Sequence, residues 1–234
     1  MLVNNNRDFE KIIGYQFKDK KLLGRALTHS SYVKEQGQSR LNDNERLEFL
    51  GDAFLDAIVG EDLYKKMEKA EEGQLTKARA SIVCEKSLAE AARALSVGTY
   101  MQFSKGEEKS GGRERDSILA DAMEAVIGAV YLDGGYEEAR DFVLEIFQNA
   151  LLDAGNGKLS NQDYKSDLQE QLQAKGILDI RYVTEKEEGP DHDKTFSVRL
   201  EACGKAIGSG MGKSKKLAEQ NAARDALERG LHVF

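Results

Sequence analysis

Four acidic side chains recur on one face of a segment whose apolar residues have helical spacing. At about 100° per residue, one face carries Glu45, Glu48, Asp52 and Asp56, and the opposite face carries Leu47, Leu50, Phe54 and Ile58. Carboxylates three and four residues apart repel one another on a helix. Because no lysine or arginine lies on the acidic face, these carboxylates need either solvent or a bound cation to relieve their repulsion.

The same pattern also has an explanation without chemistry. The outer face of an amphipathic helix is usually charged and solvated. Asn42 followed three residues later by Glu45 also fits a capping box, in which two side chains bond the free N–H groups at a helix start. The segment alone therefore leaves a metal site and a solvated face open.

A second acidic pair lies in a much more apolar segment. Between Ser117 and Leu132, Asp121 and Glu124 are the only charged side chains, and their i, i+3 spacing places them on one helical face. So apolar a helix is normally buried, and two buried carboxylates need a compensating positive charge. That charge could come from an arginine such as Arg46 or Arg79, or from a metal ion.

Together the two segments offer oxygen ligands from two helices. The expected ligands are Glu48, Asp52, Asp121 and Glu124. A site made only of carboxylates suits Mg²⁺, with Mn²⁺ as a substitute, because these ions prefer hard oxygen ligands and retain several waters. Zinc is disfavoured because the set contains no histidine or cysteine.

These residues resemble the signatures of a known family. The run Asn-Glu-Arg-Leu-Glu-Phe-Leu-Gly-Asp at 44–52 closely resembles the signature of the bacterial ribonuclease III family. Leu-Ala-Asp-Ala-Met-Glu-Ala at 119–125 is similar to that family's second acidic motif. The resemblance implies a Mg²⁺-dependent endoribonuclease that cuts double-stranded RNA, leaves 5′-phosphate and 3′-hydroxyl ends, and processes rRNA and mRNA precursors.

The resemblance also suggests catalytic roles. Asp52 and Glu124 are expected to be the most sensitive to mutation. Glu45 and Glu72 are expected to orient water, RNA or the ligands themselves, although Glu72 is equally consistent with a plain turn acid. In two-metal hydrolysis one ion activates a water and a second stabilises the leaving oxygen.

Cutting both strands calls for two acidic clusters, and hence for a homodimer. Phe49 lies at a helical angle that borders the acidic face rather than the core, so it could contact a partner subunit. Packing of Phe49 inside its own domain is equally consistent with the sequence, and the family resemblance favours the dimer.

Composition indicates a mainly α-helical chain. The 234 residues contain one proline and 22 glycines, and no apolar run resembles a signal peptide or a span of about 20 residues. We therefore expect a soluble, cytoplasmic protein with no membrane partner. The net charge of −7 means that any binding of nucleic acid must use local basic patches.

The chain is expected to form two domains. A helical bundle should span residues 1–152, followed by a linker rich in Gly and Asn at 153–162 and a small α+β domain at 163–232. The order α-β-β-β-α in this second domain resembles the double-stranded RNA-binding domain.

Three lysines mark the start of the last predicted helix. Lys213, Lys215 and Lys216 lie at the end of a helix where the dipole disfavours cations. The placement becomes favourable when the lysines and the helix N–H groups meet a phosphate, although a solvated charge run remains the alternative. By resemblance, these lysines would span phosphates of the RNA major groove.

Further RNA contacts follow from the resemblance alone. Gln169, Glu170 and Gln173 on the first helix of the domain, and His192 in the turn after Gly189, match positions that contact the minor groove and its 2′-hydroxyls. A loop histidine without a function is the alternative for His192.

Two rival functions use the same sequence differently. A non-catalytic RNA-binding scaffold would keep the fold and lose the acids, yet none of the four expected ligands is replaced by an amide or a small residue. A calcium-binding structural module would need an Asp-rich loop with a spaced glycine, and the sequence contains none.

Overall fold

The computed structural model describes residues 2–155, 164–190 and 194–230, with side chains from Arg7 onward. The chain divides into two compact units, Met1–Ser160 and Asn161–Phe234. The first is helical and the second combines helices with one sheet. The predicted fold class, a helical domain followed by a small α+β domain, is confirmed.

The first unit consists of helices around a single apolar core. They are α1 (Leu2–Ile13), α2 (Lys20–Ala26), α3 (Ser30–Glu35), α4 (Glu45–Lys66), α5 (Glu72–Ile82), α6 (Glu85–Ala94), α7 (Val97–Tyr100), α8 (Lys105–Lys109), α9 (Asp116–Gly134), α10 (Tyr136–Ile146) and α11 (Gln148–Gly155). Eleven of the 19 residues of α9 are buried. Helix α9 is therefore surrounded by the others, as its apolar sequence predicts.

Helices α4 and α9 cross with their backbones in contact. A Cβ atom added at Gly51 would lie 1.8 Å from the carbonyl oxygen of Glu124, and one added at Gly128 would lie 2.3 Å from the carbonyl oxygen of Leu47. Any larger residue at either position would push the helices apart. The apolar face of α4 is accordingly centred on Leu47, Gly51 and Leu55, whereas Leu50 and Phe54, which the sequence places in the core, are half-buried.

Two stretches differ from what periodicity predicts. A polar loop is predicted from Ser30 to Asn42, yet the chain forms α3 and a 3₁₀ turn at Arg40–Asn42. His29 caps α3 and Val33 is fully buried, so tertiary packing overrides the polar composition. A single helix is predicted from Gln74 to Leu95, but the chain leaves the helical conformation at Cys84 and starts α6 there.

The second unit packs two helices on one face of an antiparallel sheet. Its elements are α12 (Tyr164–Ala174), β1 (Ile180–Glu188), β2 (Thr195–Ala202), β3 (Lys205–Gly212) and α13 (Lys215–Glu228), and the strand order is β1-β2-β3. Buried residues of α12, β2 and α13 form a separate core.

Alternate glycines on β3 set the position of α13. A Cβ atom at Gly208, Gly210 or Gly212 would lie 2.2–2.6 Å from a backbone atom of Ala218 or Ala222. Helix α13 therefore rests directly on the strand. This contact fixes where the basic N-terminus of α13 emerges.

The predicted domain boundary falls close to the end of α11. That helix continues to Gly155, three residues into the predicted linker. Residues 156–162 of the linker and the predicted end of the second domain at 231–232 lie outside the described residues.

Replacing Gly51 with alanine should strongly destabilise the first unit. The new methyl group would meet the backbone of α9, and we expect a loss of about 3 kcal/mol in the free energy of unfolding. Gly60 in the same helix is the matched control, because its Cβ would meet only the Arg79 side chain at 3.9 Å. Gly60→Ala should be neutral or stabilising by up to about 1 kcal/mol. Urea unfolding measures both, and equal stabilities would contradict the proposed contact.

Candidate functional site

Three carboxylates from the two crossing helices converge beside the glycine contact. Glu48 of α4 and Asp121 and Glu124 of α9 each offer an oxygen, and these oxygens all lie within 4.8 Å of one another. Glu48 lies one turn before Gly51, and Glu124 contacts Gly51 through its own carbonyl oxygen. The close crossing of the helices is therefore what brings the three carboxylates together.

Burial and mutual repulsion make these carboxylates hard to ionise. Burial, followed by the negative charges of Asp121 and Glu45, raises the pKa of Glu48 to about 7. Burial, followed by the charges of Asp52 and Glu48, raises the pKa of Glu124 to about 8. Burial also raises the pKa of Asp121. Acids perturbed in this way by burial and by one another are typical of functional sites.

No arginine forms an ion pair with these three carboxylates in the described part of the chain. Arg79, one of the two arginines considered as a partner, instead lies 3.8 Å from Asp56, and no described ion pair joins Arg46 to the cluster. The hypothesis of a structural arginine pair is therefore wrong for the described part of the chain. An all-oxygen set without an arginine partner fits a hard divalent cation.

The other expected site acids lie around the group rather than in it. Asp52 is exposed, and its charge acts on both Glu124 and Glu48. Glu45 is exposed at the first position of α4 and raises the pKa of Glu48 and Asp121. Glu72 begins α5, is exposed, and accepts a hydrogen bond from Thr76 at 2.8 Å; the structure does not bring it into the converging set.

The predicted capping box at Asn42 and Glu45 does not form. Asn42 ends a 3₁₀ turn, and the N-cap position of α4 is Asn44, without a side-chain bond. Asp43 accepts the backbone N–H of Glu45 at 3.3 Å instead.

Two further residues lie near the cluster: Asp43, which sequence reasoning missed, and His29, for which the sequence predicts the interior or capping position that it has. Asp43 is 1% exposed, and its Oδ2 atom has no hydrogen-bond partner among the described residues. Its charge contributes to the raised pKa of Glu48. His29 lies near Asp121, and burial lowers its pKa, while its Nδ1 atom lies 2.8 Å from Ser31 Oγ. In the sequence, Asp43 is visible only as one more acidic residue directly before the 44–52 signature.

Phe49 projects away from its own domain. Its side chain is 79% exposed although it lies in the same helix as the buried Leu47. The alternative that Phe49 packs inside its own domain is therefore wrong. A large exposed aromatic beside a polar site is typical of an interaction surface.

In the second unit the expected RNA-contacting residues are exposed. Gln169, Glu170 and Gln173 lie on α12, while Lys213, Lys215 and Lys216 surround the start of α13. Ser214 caps α13 by accepting the backbone N–H of Leu217 at 3.2 Å. His192 lies outside the described residues.

Comparisons with known proteins agree with both halves of this description. The family model described as "Ribonuclease-III-like" matches residues 19–151, and the "Double-stranded RNA binding motif" matches residues 164–229. The chain is 50% identical over 215 residues to Ribonuclease 3 of Pelotomaculum thermopropionicum, covering 92% of this chain and 89% of that protein. It is 49% identical over 216 residues to Ribonuclease 3 of Streptococcus pneumoniae strain CGSP14, covering 92% of each.

A solved structure resembles the first unit. The nuclease domain of ribonuclease III from Campylobacter jejuni aligns with a TM-score of 0.57 and 46% identity, covering 61% of this chain and 95% of that one. That nuclease domain is described as structurally flexible in a region involved in dimer formation.

A helical nuclease domain joined to a double-stranded RNA-binding motif defines a class of RNA-cutting enzymes. Both relatives named Ribonuclease 3 align with 92% of this chain, which includes both parts. The chain belongs to the ribonuclease III family and is an endoribonuclease acting on double-stranded RNA.

In the described part of the chain, no helix combines the length and apolar character that crossing a membrane requires.

The thermal stability of the metal-free protein should depend on pH through Glu124. Its pKa of about 8 in the folded chain exceeds the ordinary value of 4.5, so between these values the folded state keeps a proton that the unfolded state has lost. Stability contributed by this group is therefore lost as the pH rises from about 4.5 to about 8. In chelator at pH 8, Glu124→Gln should melt at a higher temperature than wild type, and the difference should shrink at pH 5.

The control for this measurement is Glu68→Gln, which neutralises an exposed acid of the same unit. It should leave the pH dependence of melting as in wild type. If Glu124→Gln and Glu68→Gln melt alike at every pH in chelator, the electrostatic description of the cluster is wrong.

Proposed function

We propose that the chain is a Mg²⁺-dependent endoribonuclease that hydrolyses double-stranded RNA to 5′-phosphate and 3′-hydroxyl ends. The observation that carries this proposal is the convergence of Glu48, Asp121 and Glu124 within 4.8 Å, without an arginine partner among the described residues. Mn²⁺ is the expected substitute, because it accepts the same oxygen ligands.

The cluster would hold the cation through Glu48, Asp121 and Glu124, with Asp52 at its edge. When bound, the ion would supply positive charge to the scissile phosphate and to the attacking water. In the metal-free chain the raised pKa values of Glu48 and Glu124 mean that both hold a proton more tightly than a free carboxyl group does, and they must release it to act as ligands. The catalytic role of Asp52 and Glu124, and the orienting roles of Glu45 and Glu72, remain part of this proposal.

RNA would be held by the second unit. The domains are proposed to span 1–152 and 163–232, with a linker at 153–162. The exposed Lys213, Lys215 and Lys216 would contact phosphates, and Gln169, Glu170 and Gln173 would contact the minor groove. The contact of His192 is proposed on the family resemblance alone.

The working enzyme is proposed to be a homodimer. One chain offers one converging carboxylate group in its described part, and cutting two strands calls for two. The exposed Phe49 and the dimer-forming region named for the Campylobacter jejuni structure support this.

Precursors of rRNA and mRNA in the cytoplasm are the proposed substrates, because the relatives are bacterial ribonucleases.

Glu124→Gln should separate cutting from binding. Replacing a ligand carboxylate by an amide should reduce the rate of cleavage of a long RNA duplex in Mg²⁺ by more than about a hundredfold, while duplex binding measured in parallel persists. Glu68→Gln is the control and should cut at the wild-type rate. If wild type binds the duplex but never cuts it with Mg²⁺ or Mn²⁺, the catalytic proposal fails and the scaffold function takes its place.

Phe49→Ala should weaken the dimer. Losing a buried aromatic contact should cost about 2 kcal/mol or more, which raises the dimer dissociation constant roughly thirtyfold. Tyr64 is a matched control, because it is an aromatic on the same helix that is 73% exposed. Sedimentation of wild type, Phe49→Ala and Tyr64→Ala tests this. Equal dimerisation of Phe49→Ala and Tyr64→Ala would rule out the proposed role of Phe49.

A further inference from the structure

One of the three lysines at the start of α13 is already held by a carboxylate. Lys215 Nζ lies 2.8 Å from Glu187 Oε1 at the far end of β1, and 5.6 Å from the centre of the Phe196 ring. The contact is therefore between the basic helix start and the neighbouring strand. Within the described residues no such ion pair involves Lys216.

A β-bulge in β1 places Glu187 in this position. Tyr182 pairs with Leu200 and Thr184 pairs with Val198, and Leu200 and Val198 are buried toward the helices. In a regular ladder the next residue on this face would be Lys186. The register shifts between Thr184 and Lys186, so that Glu187 is the residue opposite Phe196.

The bulge thus exchanges a lysine for a glutamate on the face covered by α13. Bulges commonly redirect a side chain in this way. Without the bulge, the periodicity of the strand would turn Lys186 toward this face and increase the positive charge beside Lys215. With it, the acidic Glu187 faces the basic helix start.

The pair is exposed enough to open. The side chains of Lys215 and Glu187 retain 58% and 41% of their exposure, and exposed ion pairs are weak. The hydrogen bond from Lys215, followed by the positive charges of Lys215 and Lys194, lowers the pKa of Glu187, which keeps its carboxylate ionised at neutral pH. A carboxylate and a phosphate oxygen are both anionic acceptors for a lysine ammonium group.

We propose that Glu187 is a specificity-determining residue, which occupies the phosphate-binding position of Lys215 and must be displaced by RNA. A ligand that contacts Lys215 alone only replaces the Glu187 carboxylate with its own phosphate, so it gains little binding free energy. A duplex that also contacts Lys213, Lys216 and α12 compensates for the broken pair. The inference rests on the proposed phosphate contact of Lys215, and it predicts that Glu187 weakens binding while favouring duplex RNA over single strands.

The rival explanation gives the opposite sign. If Glu187 merely holds Lys215 in the orientation that RNA needs, then removing the carboxylate should disorder the lysine and weaken binding. The sign of the change therefore decides between the two roles.

The test measures binding of the full chain to labelled RNA in chelator, where cleavage cannot occur. The probes are a duplex of about 20 base pairs, long enough for a single RNA-binding domain, and a single strand of the same sequence. The variants are Glu187→Gln, Lys215→Gln and the two combined. Glu188→Gln is the matched control, because it removes the same charge from the adjacent residue, whose ion pair is with Lys186 at 3.8 Å.

Glu187→Gln should bind the duplex about two- to fivefold more tightly than wild type and Glu188→Gln. The affinity of Glu187→Gln should fall more steeply with salt, by up to about one unit in the slope of log affinity against log salt concentration. In wild type, the Glu187 carboxylate that RNA displaces takes up a cation from solution, and the variant has no such carboxylate. Its preference for duplex over single strand should decrease. In the Lys215→Gln background, Glu187→Gln should have no further effect.

Three results would overturn the inference: unchanged or weaker duplex binding by Glu187→Gln, an equal gain from Glu188→Gln, or a gain that persists without Lys215. If the combined variant binds the duplex as tightly as Glu187→Gln alone, the phosphate contact of Lys215 is wrong and the role of Glu187 falls with it. If Lys215→Gln weakens binding but Glu187→Gln has no effect, only the role of Glu187 is wrong. Failure of the wild-type chain to bind any duplex would instead refute the proposed function.

Discussion

The site depends on the contact between two helix backbones at Gly51 and Gly128. A Cβ atom at either glycine would lie within 2.3 Å of a carbonyl oxygen of the opposite helix, so the separation of α4 and α9 is fixed by the absence of side chains. This separation determines how far Glu48 lies from Asp121 and Glu124. The apolar shell that surrounds α9 then partly covers the carboxylates that the crossing has brought together. The crossing of α4 and α9 therefore determines both how this domain packs and where its acidic site lies.

The crossing has an electrostatic cost. Carboxylates brought close and partly buried repel one another, which is why the pKa of Glu124 rises to about 8 and that of Glu48 to about 7. A bound divalent cation would remove this cost, so that ligand binding and folding stability are coupled. In the second unit the clustered side chains are positively rather than negatively charged. There, Lys215 at an exposed helix start is paired with Glu187, and we propose that an RNA phosphate takes the place of this carboxylate.

The three acids that converge in the structure could be proposed from sequence because spacing on a helix decides which side chains share a face, whereas Asp52, proposed with them, lies outside this group. The role of Gly51 and Gly128 could not be predicted, because in a sequence a glycine inside a helix is only a weak helix former. Its role becomes visible only when the structure shows a second backbone packed against it. Phe49 was left open for a similar reason, because only the packed domain shows which residues at the edge of a helix are covered. Glu187 was hidden by a bulge, which interrupts the alternation on which strand predictions rest.

The most direct test of the metal site is binding of Mn²⁺ to the metal-free chain, followed by electron paramagnetic resonance in wild type and in Asp121→Asn. We expect that wild type binds the ion, that excess Mg²⁺ displaces it, and that Asp121→Asn binds it at least about tenfold more weakly. Failure of wild type to bind Mn²⁺, or equal binding by Asp121→Asn, would contradict the claim that the crossing of α4 and α9 builds a metal site.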